Sequence, residues 1–272
     1  MKKHIASILF LFLLSTFQLI AQSHSVKRLG IEQGLSNNYV VSITQDKQGF
    51  LWFATEEGLN KFDGTRFTTY YKNDLTQDNQ GITGNELNRV YADTKHPIIW
   101  IATQRDGLNA YNYNEQTFTA YQHNPENPHS LITNDVTDIA PSTQHDDGLW
   151  ISTYYRGIEY LDITSGQFTH YNKSTVPSLP CDQTWTVLDG GDGNLYIGHV
   201  GSGFSIFSPK DKSVKNFRNE AGNPMSLPGN DVFCIIKDAN GNIWLGTNNG
   251  LALYDAANEN FITFKNNKND KY

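Results

Sequence analysis

Cysteine is scarce in this chain: 2 in 272 residues, beside 2 methionines and 9 prolines. Two cysteines cannot staple a chain of this length, so its fold must rest on a packed core. Cys181 lies in a loop segment and Cys234 inside an apolar run. Nothing in their positions favours a pair, and both are expected to be free and largely buried. Basic runs are equally rare. The longest is Lys2-Lys3, and Asp plus Glu outnumber Lys plus Arg by 28 to 21, so electrostatics gives no footing for nucleic-acid binding. The acidity is a matter of solubility. Beyond residue 21 no apolar run is long enough to cross a bilayer, and no stretch repeats with a helical period. Nucleophile elbows, phosphate-cradling loops and metal-ligand spacings are missing too, since His96, His123, His129, His145, His170 and His199 fall at unrelated places. No catalytic residue, metal or cofactor is assigned on this reading. His145-Asp146-Asp147 has the character of a polar hairpin turn.

The N-terminus differs from everything after it. Lys2, Lys3 and His4 precede an apolar stretch from Ile5 to Leu14, then Ser15 and Thr16, and finally Leu19-Ile20-Ala21. A charged start, a short apolar centre and a small residue at the cut predict a secretory signal over 1–21, cleaved near Ala21. The apolar stretch is short for a membrane anchor, and no cysteine near the cut offers a lipid attachment point.

What the chain has in quantity is aromatics, 12%, and glycine, 22 residues, and both recur at a fixed interval. Trp52, Trp100, Trp150, Tyr196 and Trp244 are spaced by 48, 50, 46 and 48 residues, each within a short apolar segment. A glycine followed by an apolar residue comes 6 or 7 positions later: Gly58-Leu59, Gly107-Leu108, Gly157-Ile158, Gly203-Phe204 and Gly250-Leu251. An aromatic follows, Phe62, Tyr111, Tyr160, Phe207 or Tyr254, at a spacing of three except in the third unit, where a one-residue slip is expected. A last apolar pair closes each unit, as in Phe67/Tyr70 and Phe261/Phe264, and a first strand such as Val40–Ile43 or Val232–Ile235 opens it. Four short strands per unit, joined by glycine turns, predict an all-β propeller with one blade per unit. The repeated tryptophans then fill the wedge between neighbouring blades. The expected blades are 35–81, 82–130, 131–178, 179–226 and 227–272, preceded by a 22–34 segment whose Val26–Leu29 is expected to be a closing outer strand.

The segments Gly34-Leu35-Ser36-Asn37-Asn38, Gly49–Gly64 and Asn240–Thr247 resemble two-component regulator propeller repeats. These occur in periplasmic sensor regions of bacterial hybrid two-component histidine kinases. The likeness runs from about Val26 to Phe264 and is weakest in the fourth unit, with Tyr196 for Trp and Gly198-His199 for the usual small residue plus Thr. It implies an extracytoplasmic ligand sensor, often for carbohydrate, fused beyond a membrane helix to a kinase. It also implies seven blades where five are present, and so a fragment lacking a C-terminal propeller, membrane and kinase domains. The parent would be a histidine kinase, anchored in the inner membrane and signalling to transcription, with a homodimer as a natural signalling form. A secreted propeller lyase or glycosidase acting on polysaccharide, and a non-enzymatic interaction scaffold, stand as alternatives.

Blade topology ranks candidate ligand residues. The loop before the first strand and the loop between the second and third strands open on the same face, around the channel mouth. Polar residues before each first strand (Asn37 or Asn38, Asn85, Asn134, Asp182, Asn230) repeat and are expected to be structural. The loop after the second strand varies, and there Arg105, Tyr154, Tyr155 and Arg156 offer forked donors and aromatic faces suited to a sugar or an acidic ligand. Trp185, alone among tryptophans in lying on a first strand, points either to the channel or to the core. The expected partner is thus a small molecule or an oligosaccharide.

Overall fold

The computed structural model describes residues 26–72 and 81–265, so the leader expected over 1–21 lies outside the described residues. Within them, twenty strands form five separate four-stranded antiparallel sheets, each in simple meander order. The first strands are Val40–Gln45, Leu87–Ala92, Val136–Pro141, Thr184–Asp189 and Val232–Lys237. The second are Leu51–Thr55, Ile98–Thr103, Gly148–Thr153, Leu195–His199 and Ile243–Thr247. The third are Gly58–Phe62, Leu108–Asn112, Gly157–Asp162, Phe204–Phe207 and Gly250–Asp255, and the outer ones Phe67–Tyr70, Thr117–Tyr121, Gln167–Tyr171, Val214–Phe217 and Asn260–Phe264. Each repeat of the sequence is therefore one blade. Among the described residues no helix is long and apolar enough to cross a membrane.

Among the described residues no blade has a core of its own, and the four apolar clusters are each shared between neighbours. Trp52, Ala54 and Leu59 of blade 1 pack on Leu87, Val90, Ile99 and Ile101 of blade 2. Trp100 and Leu108 of blade 2 meet Ile139, Leu149 and Ile151 of blade 3 in the same way. Trp150 and Ile158 pack on Val187, Leu195 and Ile197 of blade 4, and Tyr196 and Phe204 on Ile235, Ile243 and Leu245 of blade 5. Period-two alternation sends one set of each strand's side chains to the preceding blade and the other to the following blade.

Polar groups stitch the same boundaries. The glycine that opens each third strand donates its N–H to the residue two positions before the next blade's first strand: Gly58 to Asn85, Gly107 to Asn134, Gly157 to Asp182 and Gly203 to Asn230, at 2.8–3.0 Å. The same four acceptor residues take a second bond through their side chains, from the N–H of Lys72, His123, Lys173 and Asn219, at 2.6–2.8 Å. The repeated polar residue is thus a clasp across the blade boundary. Glycine is required at its partner: Gly203 has φ 79°, and a Cβ there would overlap the Phe217 carbonyl.

Two expectations need correction, and a third concerns a blade not among those described. Val26–Leu29 forms no strand, and Val26 is 94% exposed. Every third strand pairs with the outer strand of its own unit, so none of the five blades is left for this segment to close. It still reaches the clasp, because the Ile31 N–H bonds Asn38 Oδ1 at 3.1 Å, which identifies Asn38 rather than Asn37 as the repeated position. The third unit has no register slip. Leu161 pairs with Phe168 as Phe62 pairs with Phe67, so Leu161 holds the aromatic's place and Tyr160 lies on the other face. A true slip would have turned the strand's whole apolar set over. Finally, Cys234 is exposed, and it is free, as is the half-buried Cys181.

Candidate functional site

The first strands line a cavity of about 420 Å³ on the propeller axis, walled by Tyr39–Val41, Asn88, Arg89, Thr137, Asp138, Trp185, Thr186 and Phe233–Ile236. All five blades contribute. Each first strand carries a β-bulge at this level: the pairing skips Val41, Asn88, Thr137, Trp185 and Phe233. A bulge re-aims a side chain and releases it from the ladder, a device common at binding and active sites. The buried residues flank it at a spacing of three, as in Leu87/Val90, Val136/Ile139 and Val232/Ile235.

Asp138 is the polar hub of this wall. Its Oδ1 lies 3.0 Å from Arg89 Nε of blade 2 and accepts the Ile139 N–H at 2.9 Å. Its Oδ2 accepts the Thr186 hydroxyl at 2.6 Å and the Val187 N–H at 3.3 Å, both from blade 4. Three hydrogen bonds and the Arg89 ion pair occupy the carboxylate and hold the guanidinium beside it. Among the described residues the two terminal guanidinium nitrogens of Arg89 meet no acceptor, and the side chain stays about half exposed to the channel. Cys234 sits beside this pair, open to the channel but walled by protein elsewhere. That desolvation pushes its thiol up, the Asp138 charge adds to it and Arg89 offsets part, so the group is a thiol rather than a thiolate at neutral pH.

An aromatic row runs from the mouth into the channel. Tyr155 and Tyr154 meet edge to face at 4.1 Å, Tyr154 and Trp185 at 5.9 Å, and Trp185 and Phe233 at 5.8 Å. Edge-to-face packing holds the rings and leaves other faces free to take a flat apolar ligand surface. The Tyr155 hydroxyl is pushed up by its hydrogen bond to Tyr154 and by burial, so it remains a neutral donor.

Of the residues singled out from the sequence, Tyr154, Tyr155 and Trp185 are brought together, and Trp185 points to the channel. Arg105 and Arg156 are exposed in neighbouring loops, and among the described residues their side chains join neither an ion pair nor a hydrogen bond. Neither lines the cavity. Sequence reading missed Asn88, Arg89, Asp138 and Phe233. Their signal was present: apolar residues three apart within a strand betray a bulge, and the residues between them are the ones turned to the channel. At the opposite end another cavity of about 420 Å³ lies between the turns of blades 4 and 5, where Lys237 reaches the Gly190 carbonyl at 2.7 Å. That contact braces two turns. Among the described residues no group of three or more His, Cys, Asp or Glu side chains is placed to hold a metal.

Radial four-stranded blades around a lined axial channel define a β-propeller with its candidate ligand site on the axis. The family described as two component regulator propeller matches residues 34–57 and 226–249, in the first and fifth blades. It is 66% identical, with a TM-score of 0.81, to the extracellular domain of a protein assigned as a hybrid two-component system of B. thetaiotaomicron, over 88% of this chain and 32% of that one. A second B. thetaiotaomicron extracellular domain, assigned to a one-component system, is 22% identical with a TM-score of 0.71 over 90% of this chain and 33% of that one, a likeness of fold alone. Over 66 residues the chain is 42% identical to Histidine kinase P4 of Formosa agariphila, covering 24% of this chain and 5% of the kinase. The chain therefore spans about a third of the length of the structure it resembles at 66% identity.

Proposed function

We propose that this propeller is the extracellular ligand-sensing part of a membrane-bound two-component histidine kinase, and that its ligand is a small oligosaccharide taken at the channel mouth. The sensor role is carried by the 66% identity to the extracellular domain of a hybrid two-component system. The place of binding rests on the channel wall: a row of aromatic faces opposite a fixed Arg89–Asp138 pair. Such a wall suits a neutral, hydroxyl-rich ring, with C–H faces on the aromatics and hydroxyls on Asn88 and the guanidinium. Net charge at the pair is near zero, which disfavours a strongly anionic ligand. Binding acts on signalling only in so far as the ligand prefers one of two states of the parent, and a dimer is the natural carrier of those states.

The test is a titration of the chain with a panel of neutral and acidic oligosaccharides, read by tryptophan fluorescence and calorimetry. Binding of one class is expected, weakened about tenfold, or about 1.4 kcal/mol, in Trp185→Ala. Tight binding left untouched by both Trp185→Ala and Phe233→Ala would move the site off the channel. Turnover of any polysaccharide would overturn the sensor reading in favour of an enzyme.

A further inference from the structure

One position of the repeat is neutral in four blades and ionisable in one. The third-strand residue that faces the chain entering each blade is Asn60, Asn109, Glu159, Ser205 or Ala252. In blades 1 and 2 the Asn amide serves both needs of that chain. Asn60 Oδ1 accepts the Ser36 N–H at 2.9 Å and Asn60 Nδ2 donates to the Ser36 hydroxyl at 2.7 Å; Asn109 does the same for Thr83, at 3.0 and 2.8 Å. In blades 4 and 5 the corresponding entering residues are Pro180 and Pro228, which carry no N–H, and the third strand has Ser205 and Ala252. Blade 3 alone uses a carboxyl group, Glu159, with no exposed surface.

Glu159 Oε1 accepts the Ile132 N–H at 2.9 Å. Its Oε2 lies 3.1 Å from Nδ1 of His170, the residue directly across on the outer strand. The other ring nitrogen, His170 Nε2, lies 2.9 Å from the Pro128 carbonyl. Both imidazole nitrogens thus face oxygen acceptors, so two protons must lie along the line from Glu159 through the ring to Pro128. Either the imidazole is doubly protonated beside a carboxylate, or a neutral carboxylic acid donates to a neutral imidazole. Each arrangement holds one proton more than the carboxylate and neutral ring that water would favour at pH 7. Removing it sets two lone pairs against each other, beside a Glu159 carboxyl group that water does not reach.

We propose that Glu159, His170 and residues 124–132 form a pH-operated latch, closed while the pair holds its extra proton and released when that proton passes to solvent. The segment's other ties are the Phe168 N–H to the His129 carbonyl at 2.9 Å, His123 Nδ1 at 2.9 Å from the Leu131 carbonyl, and the Leu131 side chain, buried between blades 2 and 3 at its C-terminal end. It runs directly into Asn134, the clasp residue, and into Asp135, whose carbonyl accepts the Tyr154 N–H at 3.1 Å at the channel mouth. Release therefore loosens the backbone that supports Tyr154, at one end of the aromatic row.

The sign follows from the surroundings. The hydrogen bond to Glu159 holds the His170 imidazole above its ordinary value, against the opposing effect of burial. Burial pushes Glu159 up, partly offset by His170, the Ile132 N–H and the charge of His123. His123, which precedes the latched segment, also acts on Glu159; the second and third strands packed against it bring no other charge to that face. Both shifts give the folded form more protons than the unfolded one. The latch's contribution is complete below the ordinary values of the two groups and is lost as pH rises through the raised one.

Hydrogen exchange of the chain between pH 6 and pH 9, corrected for the intrinsic pH dependence, reads this at the Ile132 and Phe168 amides. Protection is expected to fall by up to about tenfold per pH unit above the transition, while the Ile101 and Ile151 amides of the second strands hold. Glu159→Gln satisfies Ile132, a neutral His170 and Pro128 together, so its protection is expected to stay flat. A flat profile in the unmodified chain, or the same fall in E159Q, overturns the latch. Should E159Q fail to fold, NMR titration of His170 in the unmodified chain decides. A midpoint above 6.5 that coincides with the loss of Ile132 protection supports the latch, and any other midpoint refutes it.

Discussion

Blades 2 and 5 carry the same side chains in different company. Leu108 is fully buried by blade 3, whereas Leu251, its counterpart in blade 5, is 40% exposed. At the other end Ile43 of blade 1 is 57% exposed where Val90 of blade 2 is 2%. Phe264, Ile262 and Ile236 extend the bare surface on blade 5. The difference teaches that burial here is a property of the boundary between units, not of the unit. Stability should then behave as a sum over four boundaries in series.

The largest effect that sharpens this contrast is at the tryptophans. Trp100→Ala, at a filled boundary, is expected to cost about 3–5 kcal/mol, and Trp244→Ala, with one flank uncovered, less than about half of that. Urea denaturation of both variants gives the comparison, and equal losses would break it. The next largest lies at His199, where inner blade 4 departs from the threonine used by its neighbours. Burial lowers its imidazole to about 4, so it is held neutral, with Nε2 2.8 Å from the Ser205 hydroxyl. A depressed basic group stabilises above its ordinary value near 6.5 and loses that contribution as pH falls through about 4. The loss should reach about 3 kcal/mol and vanish in His199→Thr. Stability of the two proteins measured from pH 7 to pH 4 checks it, and parallel curves would count against the assignment. In end blade 5, by contrast, Asp238 is lowered to about 2 by its bonds to Trp244 and Asn242 and keeps its charge over that range.

The smallest effect concerns an unmet donor. The indole N–H of Trp52, Trp100 and Trp244 each finds an aspartate at the first turn, Asp46, Asp93 or Asp238, at 2.8–3.2 Å. Blade 3 has Ser142 at that place, and among the described residues Trp150 Nε1 is buried without a partner. Ser142→Asp is expected to stabilise the protein by about 1 kcal/mol, read as a raised urea midpoint; a lowered one would mean that the aspartate does not reach the indole.

The repeat, the four strands per blade and the wedge role of the tryptophans were legible because each depends on local period and spacing. The channel wall was less so. Trp185 and Tyr154 stood out as odd residues at equivalent places, but Arg89 and Asp138 are ordinary charged residues until the bulge turns them to the axis and a neighbouring blade sets them 3.0 Å apart. The same limit hid the straps on the far face, where the His145-Asp146-Asp147 turn of blade 3 pairs with Lys95 and His96 of blade 2. Pairing between units leaves no mark within either one.

The extra residue in each first strand has a consequence for how such chains diversify. Because it bears no rung of the ladder, its size and polarity can change without disturbing the pairing on either side. Val41, Asn88, Thr137, Trp185 and Phe233 already span a branched aliphatic, an amide, a hydroxyl, an indole and a phenyl group. Asn88 and Thr137 still bond the Val136 and Thr184 carbonyls of the next blade, but the side chains of Val41, Trp185 and Phe233 join no hydrogen bond among the described residues, so point substitution at these three changes the chemistry of the channel while the ladder stays as it is.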